Sequence, residues 1–497
     1  MQFLIIPSGG LGKRFYDAGY KTYKPFLKVS KKNRVIDNII NNFPKKNTHV
    51  IIIGNEKKFN FISLNLNIKK ISFIKIKNHQ LGPIYSLFLA QKSIIRIIRN
   101  NNFFVAYSDI NWEWNFKNVE KFVKDKSVVV FSHKGFHPHL EINSKSDFFL
   151  HNKKNIIKKV SKKKLLINDY KKNNLAIGCY FFQNFDFFKN FFDIKKIDTI
   201  KSKNEIYIVD LLEFLIKKKV DINYFKINKF VHLGLPYQYE NFLFWKKIIN
   251  EKTKKNINLE SQNVMLMGGK GNRVKALKEK KPFLKFKKKK FYELIFDKFK
   301  SKSNFIITNN NYVKLISKKF KIYKINETNS MFETIEKSIK FLENKKNFFI
   351  LSCDCFGNFN DKYFRKFIKV NDPDIILFPF KISDLQKAQL NSHTTIEIVE
   401  SKLKSINVKK FTNNKNEFGH AGFFWVKNNK IFNYINKFIA KMKFNREILL
   451  DDYFKFLFDE KIYNVHYFIL DDYIHIGSIN EYLELKYWEN YFTNENL

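Results

Sequence analysis

Short runs of consecutive apolar residues alternate along this chain with stretches whose apolar positions recur every three or four residues. "FLIIP" (3–7), "VIIIG" (50–54), "FFVAYSD" (103–109), "VVVFSH" (128–133) and "LAIGCYFF" (175–182) read as buried strands. Between them "VIDNIINNF" (35–43) and "IYSLFLAQKSIIRII" (84–98) carry the spacing of amphipathic helices. Such alternation predicts an α/β fold with a mostly parallel central sheet. In open sheets of that kind ligands bind beyond the carboxyl ends of the strands. The glycines of "FLIIPSGGLGKRF" (3–15) lie at such an end.

The pattern then starts again. "VMLMGGKGNRV" (264–274) repeats the form of "LIIPSGGLGKRF", and "KPFLKV" (24–29) returns as "KPFLKF" (281–286). "FVAYSD" returns as "FILSCD" (349–354), "AIGCYFF" as "HAGFFWV" (420–426), and "FVHLG" (230–234) as "YIHIG" (473–477). Five matches in one order, with slowly shrinking separation, predict a tandem duplication. The expected division is a first domain at 1–249, a polar linker at 250–263, and a divergent second copy at 264–497.

Composition changes this picture little. A length of 497 residues suits two or three domains, and 44% hydrophobic residues is ordinary for a globular protein. No apolar run is long enough for a membrane span, and the N-terminus lacks the basic start and cleavage site of a secretory signal. Cys179, Cys353 and Cys355 cannot build a disulfide framework and read as buried thiols, so the cytoplasm is the expected compartment. The formal charge of +46 comes from lysines spread over the whole chain, in company with inflated Asn, Ile and Phe. A nucleic-acid groove would concentrate arginine, so nucleic acid is not the expected partner; a positive field would still attract an anionic substrate.

The glycine loop carries the first candidate chemistry. Gly9, Gly10 and Gly12 allow close approach of backbone to a ligand, and backbone N–H groups in such a turn suit anionic oxygens. Arg14 adds a planar cation suited to phosphate. The loop lacks the terminal Gly-Lys-Ser/Thr of a P-loop, and Phe15 stands where a dinucleotide fingerprint has its last glycine.

"GGLGKRFYDAGYKTYKPFLKV" (9–29) resembles the signature of the sugar-phosphate nucleotidyltransferases, Gly-Gly-x-Gly-x-Arg followed by Pro-Lys-Pro-Leu-Leu-x-Val, with Tyr23 in place of the first proline. "NHQLGPIYSL" (78–87) resembles the family's base-binding segment through Gln80 and Gly82; "YSD" puts Asp109 at its metal-binding aspartate; "AIGCYFF" resembles its sugar-binding strand through Gly178. "GFHPHLEI" (135–142) and "HLGLP" (232–236) are most similar to a branch found with capsule and surface-polysaccharide genes. The resemblance implies two tandem Rossmann-like, GT-A-like nucleotidyltransferase domains. It implies Mg²⁺ as cofactor, a nucleoside triphosphate and a sugar 1-phosphate as substrates, and pyrophosphate as product. Arg14 and Lys24 would act on the phosphates, Asp109 would hold the metal, Gly9, Gly10, Gly12, Gln80 and Gly82 would take the nucleotide, and Lys162 and Gly178 the sugar phosphate.

The second copy keeps Gly268, Gly269, Gly271, Arg273, Lys281, Asp354 and Gly422 at the matching positions, so it too is expected to be active or to bind nucleotide. Two departures stand out. His232 and His475 occupy the position of the family's second metal aspartate, and Thr328 and Ser330 replace the base-binding glutamine and glycine. Competing readings are a nucleotidyltransferase for a non-sugar phosphate such as phosphocholine, a glycosyltransferase, and a basic RNA-binding scaffold without catalysis. The glycosyltransferase reading lacks its Asp-x-Asp, since the sites read Asp109-Ile-Asn111 and Asp354-Cys-Phe356. Association into a homo-oligomer stays open.

Overall fold

The computed structural model describes residues 1–55, 70–77, 79–140, 146–197, 205–250, 257–259, 261–271, 277, 279–382, 394–412, 414–441 and 445–493. The chain divides into two compact units. Unit 1 is Met1–Ile248 with the chain end from Tyr491, and unit 2 is Ile249–Asn490. In the stretch 250–263, expected as a linker, Ile257–Leu259 pairs in parallel with Phe299–Ser301, and the strand Gln262–Met267 begins.

Unit 1 is built on one sheet. Its strands are β1 (Gln2–Ser8), β2 (Thr48–Gly54), β3 (Lys70–Lys75), β4 (Phe103–Ala106), β5 (Ile110–Glu113), β6 (Val128–Lys134), β7 (Phe148–His151), β8 (Ile157–Ser161), β9 (Asn174–Phe182), β10 (Ile222–Lys226) and β11 (Lys229–His232). The spatial order is β10-β6-β9-β4-β1-β2-β3, with the β7–β8 hairpin added to β9 and β5·β11 a separate antiparallel pair. β1 pairs in parallel with β2 and β4, while β9 runs antiparallel between β4 and β6.

The apolar runs follow from this order. β1 and β2 lie inside the sheet and are buried at nearly every position, so both faces are covered and no alternation survives. Helix Pro83–Ile98 turns Ile84, Leu87, Ala90, Ile94 and Ile98 into one core, and helix Ile208–Lys217 adds Ile208, Leu211, Leu212 and Leu215. Each of these Ile and Leu side chains contributes about 1.5–3 kcal/mol by leaving water, and Ala90 less.

After β3 the chain returns to place β4 on the other side of β1. That reversal opens a crevice beyond the carboxyl ends of β1 and β4. The glycine loop follows β1 and Asp109 follows β4, so two segments about a hundred residues apart meet there.

Unit 2 has a sheet of the same order and senses: Lys321–Ile325, Asn304–Asn309, Gln262–Met267, Lys346–Ser352, Glu417–Asn428, Ile375–Phe380 and Val465–Tyr467. The hairpin Thr395–Val399/Lys402–Asn407 extends Glu417–Asn428, and Cys355–Asn358 pairs with Asp472–His475 as β5 does with β11. The protein is therefore α/β with two mostly parallel sheets. Among the described residues no helix is long and apolar enough to cross a membrane.

Candidate active site

In unit 1 the glycine loop, the Lys24 turn, the segment after β3, the end of β4 and residues 162–163 and 205–207 enclose one cavity of about 850 Å³. Five basic side chains (Lys13, Arg14, Lys24, Lys162, Lys163) face three acidic ones (Asp17, Asp109, Glu205) around it, a balance that favours an anionic ligand.

Lys24 and Asp109 form its centre. Lys24 opens a short 3-10 turn, Lys24–Phe26, pre-set by Pro25. Its Nζ lies 2.8 Å from Asp109 Oδ2, and both side chains are about one-fifth exposed. Burial pushes the Asp109 carboxyl up, but Lys24 and His232 outweigh it and hold the group below the ordinary carboxylate range. His232 reaches this point because the β5·β11 pair sets it opposite Ile110. Burial, with Lys24 nearby, keeps its imidazole below the ordinary histidine value despite the pull of Asp109.

The glycine loop closes one wall. A Cβ on Gly9 would stand 2.7 Å from Ser86 Oγ and 2.8 Å from His79 Nε2, so the close packing of that pair requires a glycine. His79 Nε2 and Ser86 Oγ are 2.8 Å apart, while Nδ1 accepts from the Leu81 N–H at 3.2 Å; Nε2 therefore carries the ring proton. Beneath the loop the Tyr23 hydroxyl sits 2.7 Å from the Ser8 carbonyl and 2.6 Å from that of Gly10. Burial pushes its pKa up, so it stays a donor. Arg14 is exposed at the cavity and forms no salt bridge among the described residues, though its charge is felt by Glu205. Gln80 and Gly82 also line the cavity, Gln80 exposed.

The opposite wall was mostly invisible in the sequence. Lys162 Nζ donates to Asp210 Oδ2 at 2.8 Å and to the Glu205 carbonyl at 2.5 Å. Lys163 pairs with Glu205 at 3.0 Å and lies 4.4 Å from the Tyr207 ring centre. Tyr207 donates to Glu205, and Asp210 accepts the Tyr207 backbone N–H, capping helix Ile208–Lys217. Gly178, at φ +90°, lies under Tyr107, the residue that faces the cavity, and a Cβ there would meet that ring at 2.8 Å. Lys163, Glu205 and Tyr207 were missed because no short motif contains them; Tyr23 stands inside one, but only as a departure from its pattern.

Behind β11 lie three more buried histidines, His133, His137 and His139. Ring centres are 5.7 Å apart for His133 and His137 and 5.3 Å for His137 and His139. Burial holds all three below the ordinary value, His139 at about 3. They are neutral in the fold, whereas the unfolded chain takes up protons near pH 6.5. Stability is thus full above about 6.5 and falls as pH drops from there towards 3. His139 alone removes about 2 kcal/mol between pH 6.5 and 5. Urea midpoints measured across that range should fall, and His139→Asn should flatten the slope.

Unit 2 assembles its matching residues differently. Asp354 accepts from Lys281 and from Ser352, and His475 Nε2 stands 3.5 Å away. His475 Nδ1 lies 2.9 Å from Glu481. Burial pushes this imidazole down, but Glu481 and Asp354 outweigh it and raise its pKa to about 9, so it is an imidazolium between two carboxylates. Gly268 packs against Thr328 and Thr334, whose hydroxyls are 2.7 Å apart. Gly269 bridges Thr328, and its carbonyl accepts from the Tyr312 hydroxyl at 3.2 Å. Ser330, in extended backbone, caps helix Met331–Glu336 where Gly82 has φ +85°. Gly271 and Gly422 also have positive φ, and a Cβ on Gly422 would enter open space. Arg273 lies outside the described residues.

No protein-family model matches the sequence, and no curated relative is found. Solved structures are similar to parts of it. A nucleoside-diphosphate-sugar pyrophosphorylase from Vibrio cholerae RC9 is 17% identical, with 48% of this chain and 99% of the other aligned and a TM-score of 0.41. A UTP-bound UGPase from Acinetobacter baumannii is 12% identical, over 50% of this chain and 94% of that one, with a TM-score of 0.40. A CTP:phosphocholine cytidylyltransferase from Streptococcus pneumoniae is 16% identical, over 49% and 97%, with a TM-score of 0.38.

Proposed function

We propose that unit 1 transfers a nucleotidyl group from a nucleoside triphosphate to a sugar 1-phosphate and releases pyrophosphate, making a nucleotide-sugar. The observation that carries this reading is the Lys24–Asp109 pair, 2.8 Å apart, in one cavity with the glycine loop and Arg14. The acceptor phosphate oxygen attacks the α-phosphorus as the bond to the β-phosphate oxygen breaks. Both reactants are anions, so catalysis consists of positioning and charge neutralisation. Arg14 holds the departing pyrophosphate, Lys24 meets charge at the α-phosphate, and Lys162 holds the acceptor phosphate. Gln80 and the backbone around Gly82 contact the base.

Asp109 is a carboxylate held in its charged form at the cavity, and one carboxylate suits Mg²⁺ when phosphate oxygens complete its shell; the neutral His232 beside it is a poor ligand for so hard an ion. Asp109 would hold the ion, which supplies neutralisation of the triphosphate. Asp354 does not fit this role: Lys281, Ser352 and His475 already occupy it. Unit 1 is accordingly the transferring site, and unit 2, although retained as a second copy of the same domain by tandem duplication, is not. A surface-polysaccharide pathway in the cytoplasm is the setting that the "GFHPHLEI" and "HLGLP" segments support.

The test is pyrophosphate release, with Mg²⁺, across four nucleoside triphosphates and several sugar 1-phosphates. Phosphocholine belongs in the acceptor panel because Glu205 and Tyr207 stand beside the two lysines. One pair should give release, and Arg14→Ala should reduce it about a hundredfold. Arg273→Ala run alongside reports on unit 2. Absence of release with every pair, in folded protein, would refute the reading.

A further inference from the structure

Two tyrosines from unrelated positions make the same contact in the two units. In unit 1 the Tyr23 hydroxyl shares its proton between the carbonyls of Ser8 and Gly10. In unit 2 the Tyr312 hydroxyl donates to Gly269, the residue matching Gly10, and Asn309 Nδ2 donates to Gly268 at 3.0 Å. The position matching Tyr23 in unit 2 is Lys280. The residue differs and the bond is retained, so the bond itself is what the loop needs.

The physical reason lies in the peptide planes. In a trans peptide the carbonyl oxygen and the next N–H point to opposite edges of one plane. A loop that takes an anion must offer N–H groups and keep its carbonyl oxygens capped. Gly9, Gly10 and Gly12 are free to flip, and a flipped plane would put oxygen lone pairs against phosphate oxygens. Tyr23 prevents this at two planes with one group. Its ring stands beside Gly12, where a Cβ would come within 3.3 Å of it.

We propose that Tyr23 is a positioning residue for the polyphosphate of the nucleotide, acting through the glycine loop. This rests on the nucleotide reading of the cavity. The experiment compares wild type, Tyr23→Phe and Tyr239→Phe. Tyr239 is the control because its hydroxyl donates to the Lys28 carbonyl at 2.7 Å, the same kind of bond away from the loop. Nucleoside triphosphate binding is measured by titration calorimetry, and KM and kcat where turnover is found. Tyr23→Phe should raise the nucleotide Kd and KM about tenfold, with the acceptor KM within about twofold. Tyr239→Phe should leave both unchanged, and the two variants should melt within a few degrees of each other. Unchanged nucleotide Kd in Tyr23→Phe, with wild type binding, overturns the inference alone. A fall in melting temperature specific to Tyr23→Phe that accounts for the lost binding makes Tyr23 structural and also overturns it. Absence of binding by wild type overturns the reading of the cavity, and this inference with it.

Discussion

Asp109→Asn should lower turnover about a thousandfold and leave the fold intact. The substitution keeps size and one oxygen, and removes the charge that Lys24 pairs with at 2.8 Å. Lys24 then loses the partner that sets its position, and the cavity loses its candidate metal carboxylate. Two consequences thus fall on one step, each about 10–100-fold when a charged contact in a partly buried site is lost. Stability should change far less, because both side chains keep some exposure to water and the pair is not fully desolvated. Pyrophosphate release at saturating substrate measures the rate, and a thermal melt checks the fold. Lys24→Ala should be nearly as damaging, and the double variant little worse than either, because the two act as one unit. A rate within fivefold of wild type in Asp109→Asn would remove this pair from the reaction.

Gly82→Ala should be the most destabilising single substitution near the site, by about 2–5 kcal/mol. Two costs coincide. Gly82 has φ +85°, where an L-residue is strained, and a new Cβ would lie 2.5 Å from the Ile206 carbonyl oxygen. That oxygen belongs to backbone and cannot swing aside; Ile206 is tied to this turn by its N–H to the Leu81 carbonyl at 2.8 Å, and its own oxygen accepts from the Ile84 N–H at 3.2 Å. The start of helix Pro83–Ile98 must shift, carrying Ser86 away from His79 and opening the wall behind the glycine loop. Urea unfolding should show a lower midpoint at unchanged slope. Ser330→Gly, at the matching position in unit 2, should cost only about a few tenths of a kcal/mol for the lost helix cap, since Ser330 has extended backbone.

Much of the fold was legible because buried parallel strands need unbroken apolar runs. β1, β2, β4, β6 and β9 each announce themselves in this way. β3, "KISFIK", and the β7–β8 hairpin did not, since each has an exposed side and mixed residues. The direction of β9 was also hidden, because an apolar run reads the same for either sense. The linker expected at 250–263 contains a short strand whose pairing partner, Phe299–Ser301, lies 40 residues away. At the site the motifs marked Arg14, Lys24 and Asp109, while the wall of Lys163, Glu205 and Tyr207 came from loops without a pattern.

The sequence by itself determined the alternation of elements and the residue types that meet at each strand end: glycine loop, lysine, aspartate, histidine. Only the tertiary structure decided what those residues are in each unit. His232 and His475 lie on corresponding strand pairs, and Lys24–Asp109 and Lys281–Asp354 are corresponding ion pairs. In unit 2 Glu481 stands where unit 1 has Gln238, and it lies 2.9 Å from His475. A carboxylate there makes the imidazole a cation that fills the space beside Asp354. Where the matching side chain is a neutral amide, burial prevails and the imidazole of His232 stays uncharged, leaving Asp109 with Lys24 as its single ion-pair partner among the described residues. The charge of a buried group is set by the balance of desolvation against its neighbours, and those neighbours are brought together by the fold.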